Sequence, residues 1–319
     1  MQLKPIKGLF SAPFTPLFPD GSLHLDLVPA LVDNLIADGV TGAFVCGSNG
    51  EGPNLTLQER MMVAEAFVKA ANKRLQIWVH VGHSSIAESK ILMQHAYEIG
   101  ADAASAVAAF YFKPSSVENL VDCMAEIAAA APTLPFYYYH VPVLTGIGMD
   151  MLRFLELAEA QIPNLHGIKY TANTIWEYQA CVHHFGHRFN ILFGFDEMLL
   201  SALAAGAKAA IGSTYNFAAP LYLSVMRDFE QGQHEKARAT MNLLIDMVRA
   251  FVKYPPIPAQ KAIMKMLGYE VGGCRLPLIT LTQHQYEALQ NDLENIGFWE
   301  ALRSAKSDRF PLTDVPSKA

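Results

Sequence analysis

The chain has 319 residues, 51% hydrophobic and 17% charged, which excludes disorder as its main state and leaves length for a large core. Twenty-four Lys and Arg stand against thirty Asp and Glu, a formal charge of -6 with no basic cluster, so nucleic acid is not an expected partner. No uncharged apolar run approaches the roughly 20 residues of a spanning helix, and the first thirteen residues, with Lys4, Lys7 and Pro13, do not read as a secretory signal.

Residues 7–14 are apolar and β-compatible, residues 26–38 have helical periodicity, and residues 42–46 (GAFVC) form a strand. A helix follows over 56–71, opened by Thr56 and Glu59 at capping-box spacing. Residues 76–81 (QIWVHV) are a strand, 86–99 a helix, the Ala-rich 103–109 a weak strand and 116–131 a helix. Then come the strand FYYYH (136–140), a helix over 149–160, the strand LHGIKY (165–170), a helix over 174–185, a strand over 190–194, a helix over 197–205 and a strand over 207–212. About eight strand–helix units predict an α/β fold, a (β/α)₈ TIM barrel. The rival, a doubly wound open sheet, stops nearer roughly six strands and carries GxGxxG after its first strand, which this chain lacks. Beyond Ser213 the alternation ends, and helices are expected over 218–230, 235–253, 259–267 and 282–293, broken by Pro255, Pro256 and Pro258. Residues 1–217 therefore read as a catalytic barrel and 218–319 as a helical extension packed on it. Cys46, Cys123, Cys181 and Cys274 form no CxxC pair and read as reduced, mostly buried thiols of a cytoplasmic protein.

Barrel active sites lie at the C-terminal ends of strands, which restricts the search to a few segments. After the second strand, Gly47-Ser48-Asn49-Gly50-Glu51-Gly52 reads either as a tight turn with unusual φ angles or as a run of backbone N–H groups that holds a carboxylate. Tyr137 and Tyr139 fall on one face of the fifth strand, where a tyrosine is a proton relay or simply a strand-favouring aromatic. Lys169 ends the apolar sixth strand. It is a solvated edge lysine or, if desolvation disfavours its charged form, a nucleophile towards a carbonyl carbon. Tyr139 and Lys169 on successive strands reinforce each other. Asp196 and Glu197 after the seventh strand, with Ser213 after the eighth, suit a polyhydroxylated ligand; Asp196 reads equally as a helix cap. His183, His184 and His187 sit at a helix end without a carboxylate at ligand spacing, so no metal site is expected. Asp228, Glu230, Glu235 and Lys236 read as a solvated helix face.

In this order and at these strand ends, the segments resemble the N-acetylneuraminate lyase and dihydrodipicolinate synthase family of class I aldolases. The carriers are Gly47-Ser48-Asn49-Gly50-Glu51 (family GSTGE or GTTGE), Tyr139-His140-Val141-Pro142 (family YNxP), Gly167-Ile168-Lys169-Tyr170-Thr171 (family GxKxT) and Gly212-Ser213-Thr214-Tyr215-Asn216. The resemblance runs from Gly8 through the helical tail. It implies that Lys169 forms a Schiff base, that Tyr139 shuttles the proton, and that Ser48, Asn49 and Gly50 hold the keto-acid carboxylate beside the reaction. Thr171, Gly194, Asp196, Glu197 and Ser213 would bind sugar hydroxyls, and Tyr111 would be lent to a neighbouring subunit's site in a homotetramer. The lysine serves as electron sink, so no cofactor is expected.

Three departures stand out. Asn49 replaces a threonine and leaves the relay route open; Ala108-Ala109-Phe110-Tyr111 replaces Thr-Pro-aromatic-Tyr; His140 replaces an asparagine. Synthases of the family usually carry an arginine two residues after the YNxP proline, where this chain has Leu144. A buried leucine makes no bidentate carboxylate contact. The run FYYYHVPVLTG looks like the sialic acid lyases instead, so the expected reaction is reversible cleavage of sialic acid to N-acetylmannosamine and pyruvate. Another pyruvate-dependent aldolase or sugar-acid dehydratase using the same lysine, and a catalytically silent barrel that binds keto acids, are the alternatives.

Overall fold

The computed structural model describes residues 5–307. Residues 1–4, with Lys4, and 308–319, the end of the expected extension, lie outside the described residues. Eight short parallel strands close into a barrel: β1 Gly8–Ser11, β2 Gly42–Val45, β3 Gln76–His80, β4 Ala103–Ala106, β5 Phe136–His140, β6 Leu165–Tyr170, β7 Asn190–Phe193 and β8 Ala209–Gly212. Pairing of Gly8 with Ala209 through Ser11 with Gly212 shuts the sheet, so the open-sheet alternative is excluded. Around it run α1 Val28–Ala37, α2 Leu57–Ala71, α3 Ile86–Glu98, α4 Val117–Ala128, the single turn α5 Pro142–Thr145, α6 Met151–Gln161, α7 Ile175–Phe185 and α8 Leu199–Ala204. The later helices are α9 Ala219–Glu230, α10 His234–Phe251, α11 Pro256–Met266, α12 Gln283–Asn295 and α13 Phe298–Ser307. No helix among the described residues is long and apolar enough to cross a membrane.

Both faces of the strands are buried, as a helix-covered parallel sheet requires. Side chains alternate across the sheet. Phe10, Phe44, Trp78, Tyr137, Tyr139, Leu192 and Ile211 fill the barrel interior, with Trp78 and Tyr137 stacked 4.1 Å apart. Leu9, Val45, Ile77, Phe136, Tyr138, Ile168 and Phe193 point the other way, into the helix layer.

One irregularity aims the site. The β5–β6 register jumps from Phe136↔Leu165 to Tyr137↔Gly167, so His166 is an extra residue in β6. Past the bulge Tyr139 pairs with Lys169 and both face inward. In an unbroken register Lys169 would pair with His140 and point at the helices, because a one-residue slip reverses every side chain. Gly167 makes the bulge possible: at φ 154° any side chain would press into Asn190, with a Cβ 2.7 Å from its carbonyl carbon.

Helix starts follow local chemistry. Thr56 and Glu59 close the expected capping box, and Ser85, Ser116 and Asp150 each accept a bond from the first turn of α3, α4 and α6. The prolines break the tail as expected, between α10 and α11, and α11 opens on them, with Pro256 at its first position. First-turn N–H groups have no intrahelical acceptor, so proline is tolerated there. Of the expected solvated face, Glu230, Glu235 and Lys236 are exposed and Asp228 is not. Asp228 is 1% exposed and accepts from Arg227 and Lys236, whose long stems reach in from solvent. Cys46 and Cys181 are buried, Cys123 and Cys274 half-buried, and all four are free.

Candidate active site

Lys169 is 3% exposed, and its Nζ lies 4.0 Å from the Tyr139 ring centroid and 4.4 Å from that of Phe44. The edge-lysine alternative is thereby excluded. Tyr139 meets Phe44 and His80 edge-on, with centroids 5.6 and 6.0 Å apart. The amine is thus held in an apolar, aromatic well at the C-terminal end of the barrel. His80 is buried beside it. Burial first, then the charges of Arg60 and Lys169, hold it well below the ordinary imidazole range.

The loop after β2 sits beside this well. A Cβ on Gly47 would press on the Phe44 ring, 2.7 Å from Cε1, so the loop backbone lies directly over the wall that touches Lys169. Glu51 N–H donates to Ser48 O at 3.1 Å and Gly52 N–H to Gly47 O at 3.0 Å, which closes the loop. Among the described residues, the N–H groups of Ser48, Asn49 and Gly50 donate to no protein acceptor. They are oriented by a tight turn and suit an anion. The unusual φ angles fall elsewhere than expected, on Cys46 (59°) and Glu51 (53°) rather than on the glycines. The glycines serve close approach instead: a Gly52 Cβ would overlap Cys46 O and stand 3.0 Å from its carbonyl carbon. Left-handed backbone costs a non-glycine residue roughly 1–2 kcal/mol, and Glu51 is fixed in it by a buried ion pair with Lys261 at 2.6 Å.

Across the mouth, Thr171 follows β6, and its Oγ1 is buried without a protein partner among the described residues. Gly194, after β7, packs against it so closely that a Cβ would stand 2.8 Å from Thr171 Cβ. Asp196 does not cap the following helix. Its Oδ2 accepts from Thr214 N at 2.8 Å and Thr214 Oγ1 at 2.7 Å, while Oδ1 has no partner among the described residues. Burial raises the Asp196 carboxyl against those two bonds; burial and then Asp196 raise Glu197. Ser213 is half-buried beside Thr214, as are Ser48, Asn49, Gly194 and Glu197.

Leu144 departs from expectation; Tyr111, expected to serve a neighbouring subunit, and His140 do not. Tyr111 is 77% exposed, its ring touching Phe112 edge-on at 5.0 Å, and this chain does not bring it to Lys169. Leu144 is 63% exposed rather than buried, because α5 projects from the rim, although it still offers no guanidinium. His140 faces the helix layer 5.2 Å from Tyr170, and burial pushes it down to about 4. No three His, Cys, Asp or Glu residues among the described residues are grouped as a metal site. Reading by motif passed over Phe44, Thr214 and Lys261. Strand alternation marks Phe44, whereas Lys261 lies 210 residues from Glu51 in an ordinary helical stretch without any local signal.

The comparisons fit this geometry. The N-acetylneuraminate lyase of Mus musculus is 37% identical over 300 residues, 92% of this chain and 94% of that protein. The native structure of N-acetylneuraminate lyase (sialic acid aldolase) from Aliivibrio salmonicida superposes with a TM-score of 0.90 at 38% identity, covering 93% of this chain and 98% of that one. Proteus mirabilis N-acetylneuraminate lyase gives a TM-score of 0.90 at 39% identity, over 92% and 100%. The dihydrodipicolinate synthetase family profile matches residues 5–296, and the chain belongs to that family.

Proposed function

We propose that this chain is a Schiff-base aldolase that reversibly cleaves N-acetylneuraminate to N-acetylmannosamine and pyruvate. One observation carries the reading: a lysine amine buried between two aromatic faces at the C-terminal end of a barrel strand. The relatives named as N-acetylneuraminate lyases support the substrate.

The Lys169 amine, once it has given up its proton, attacks the C2 carbonyl of the open-chain sugar acid. The carbinolamine loses the carbonyl oxygen as water and becomes an iminium. The iminium draws the C3–C4 bonding pair onto the pyruvyl fragment as an enamine. The C4 hydroxyl loses its proton and departs as the aldehyde of N-acetylmannosamine. The enamine takes a proton at C3, and water adds to the iminium to release pyruvate and free Lys169. Tyr139, the register partner of Lys169, is the proposed proton shuttle, beside the substrate carboxylate. Ser48, Asn49 and Gly50 hold that carboxylate. Thr171 Oγ1 and Asp196 Oδ1, without partners among the described residues, are offered to the sugar hydroxyls, with Gly194, Glu197 and Ser213 around them. Because the iminium is itself the electron sink, no step calls for a metal or nucleotide.

Residues 1–217 act as catalytic barrel and 218–319 as extension, one unit in the cytoplasm, which four free thiols support. The chain also forms a homotetramer in which Tyr111 completes a neighbour's site. Exposed Phe110, Tyr111, Phe112, Val143 and Leu144 at the rim support a covered surface. A panel of sugar acids tests the substrate. Release of pyruvate and N-acetylmannosamine from N-acetylneuraminate is expected; rapid turnover of another sugar acid with none of this one overturns it.

A further inference from the structure

Resting on the Schiff-base reading, we propose that Lys261, on α11 of the C-terminal extension, is a positioning residue for keto-acid recognition: through Glu51 and Thr15 it holds the 47–50 loop in its carboxylate-gripping shape. Lys261 is 3% exposed, and Nζ donates to three acceptors: Glu51 Oε1 at 2.6 Å, Gly273 O at 2.6 Å and Thr15 O at 3.1 Å. An ammonium has three protons, so none remains for a ligand. The side chain is a brace rather than a binding group.

Its acceptors lie on three different segments. Glu51 ends the loop after β2, Thr15 follows β1, and Gly273 follows α11. Thr15 in turn donates its Oγ1 proton to Gly50 O at 2.6 Å. Gly50 is therefore fixed from two sides, through its own neighbour Glu51 and through Thr15, and both converge on Lys261. The second Glu51 oxygen accepts from Arg275 N at 3.0 Å, so the carboxylate has no freedom to turn. The loop between the two left-handed residues, Cys46 and Glu51, is short, and a shift of Glu51 is transmitted to the N–H groups of Ser48, Asn49 and Gly50.

Why an ion pair should occupy this position follows from its energetics. Apolar residues of similar volume often stabilise a core as well as a buried pair does, and what the pair adds is a fixed geometry. Here the fixed geometry is that of the loop beside Lys169. The three residues of the catalytic well, Phe44, Tyr139 and Lys169, lie on β2, β5 and β6 and none of them is bonded to Lys261.

The test uses borohydride trapping on the full chain with two probes, pyruvate and hydroxyacetone, a ketone without a carboxylate. Lys261→Met should raise the pyruvate concentration for half-maximal trapping by about 10- to 100-fold, the cost of a small misplacement. The rate at saturation and the trapping of hydroxyacetone should stay at wild-type values. The double variant Lys261→Met/Glu51→Leu removes the unpaired charge, so it is expected to unfold at a higher midpoint than Lys261→Met while keeping the pyruvate defect. It decides the matter if Lys261→Met alone does not fold. Equal losses for both ketones, or a double variant with wild-type pyruvate saturation, overturn the positioning role and leave the Schiff-base reading intact. Wild-type protein that traps no pyruvate overturns the Schiff-base reading, and this inference with it.

Discussion

Replacing Gly212 by alanine sets a methyl group against a buried carboxylate. The added Cβ would overlap Asp196 Oδ1 and Cγ and stand 2.6 Å from Oδ2, closer than non-bonded atoms approach. Asp196 would have to turn away from Thr214, losing the N–H bond at 2.8 Å and the hydroxyl bond at 2.7 Å. Hydrogen bonds to a charged group contribute about 1.5–3 kcal/mol each, and overpacking costs about 1–3 kcal/mol, so Gly212→Ala should lose about 4 kcal/mol or more. Urea unfolding of the wild type, Gly212→Ala, Asp196→Ala and the double variant, at one protein concentration, measures this. With the carboxylate gone the methyl has room, so Gly212→Ala should cost less than about 1 kcal/mol in the Asp196→Ala background, a coupling near 3 kcal/mol. Additivity within about 0.5 kcal/mol would refute the contact as the cause. Gly212→Ala should still trap pyruvate on Lys169 while cleaving sugar acid poorly.

Asn164 Nδ2 donates to Ala128 O at 3.2 Å, Ala131 O at 3.2 Å and Leu134 O at 2.9 Å, away from the catalytic rim. Asn164→Ala should lower the unfolding free energy by about 2 kcal/mol with kcat unchanged; a reduced kcat would contradict the separation of the stabilising and catalytic ends of the barrel. Glu59, bonded by Arg275, is held down at about 2 against an ordinary 4.5. A depressed carboxyl contributes stability above its unfolded pKa and loses it as pH falls through the folded one. Thermal midpoints of Glu59→Gln should therefore converge on those of the wild type as pH drops from about 4.5 to about 2. A constant gap across that window would refute the Arg275 assignment.

The barrel was legible because hydrophobic runs alternate with capped helices, and β5 and β6 fall where the sequence places them. The Thr56–Glu59 box was readable for the same reason, since its partners are three residues apart. Less local features escaped. The α13 helix lies beyond the last strong periodic stretch, and α11 starts at the tail prolines rather than just after them. Asp196 stayed open between cap and ligand group because Thr214, its true partner, comes from the next strand end. Leu144 looked buried because apolar character says nothing of which side of a projecting turn faces solvent. The inward aim of Lys169 depends on a bulge that strand alternation within β6 alone does not reveal.

The central claim is that Lys169 forms the covalent bond. Incubation with pyruvate and borohydride, followed by digestion and mass analysis, tests it directly. One reduced pyruvyl adduct on Lys169 is predicted, absent from Lys169→Ala protein that unfolds like the wild type. Wild-type protein without an adduct, or an adduct that survives Lys169→Ala, would contradict it.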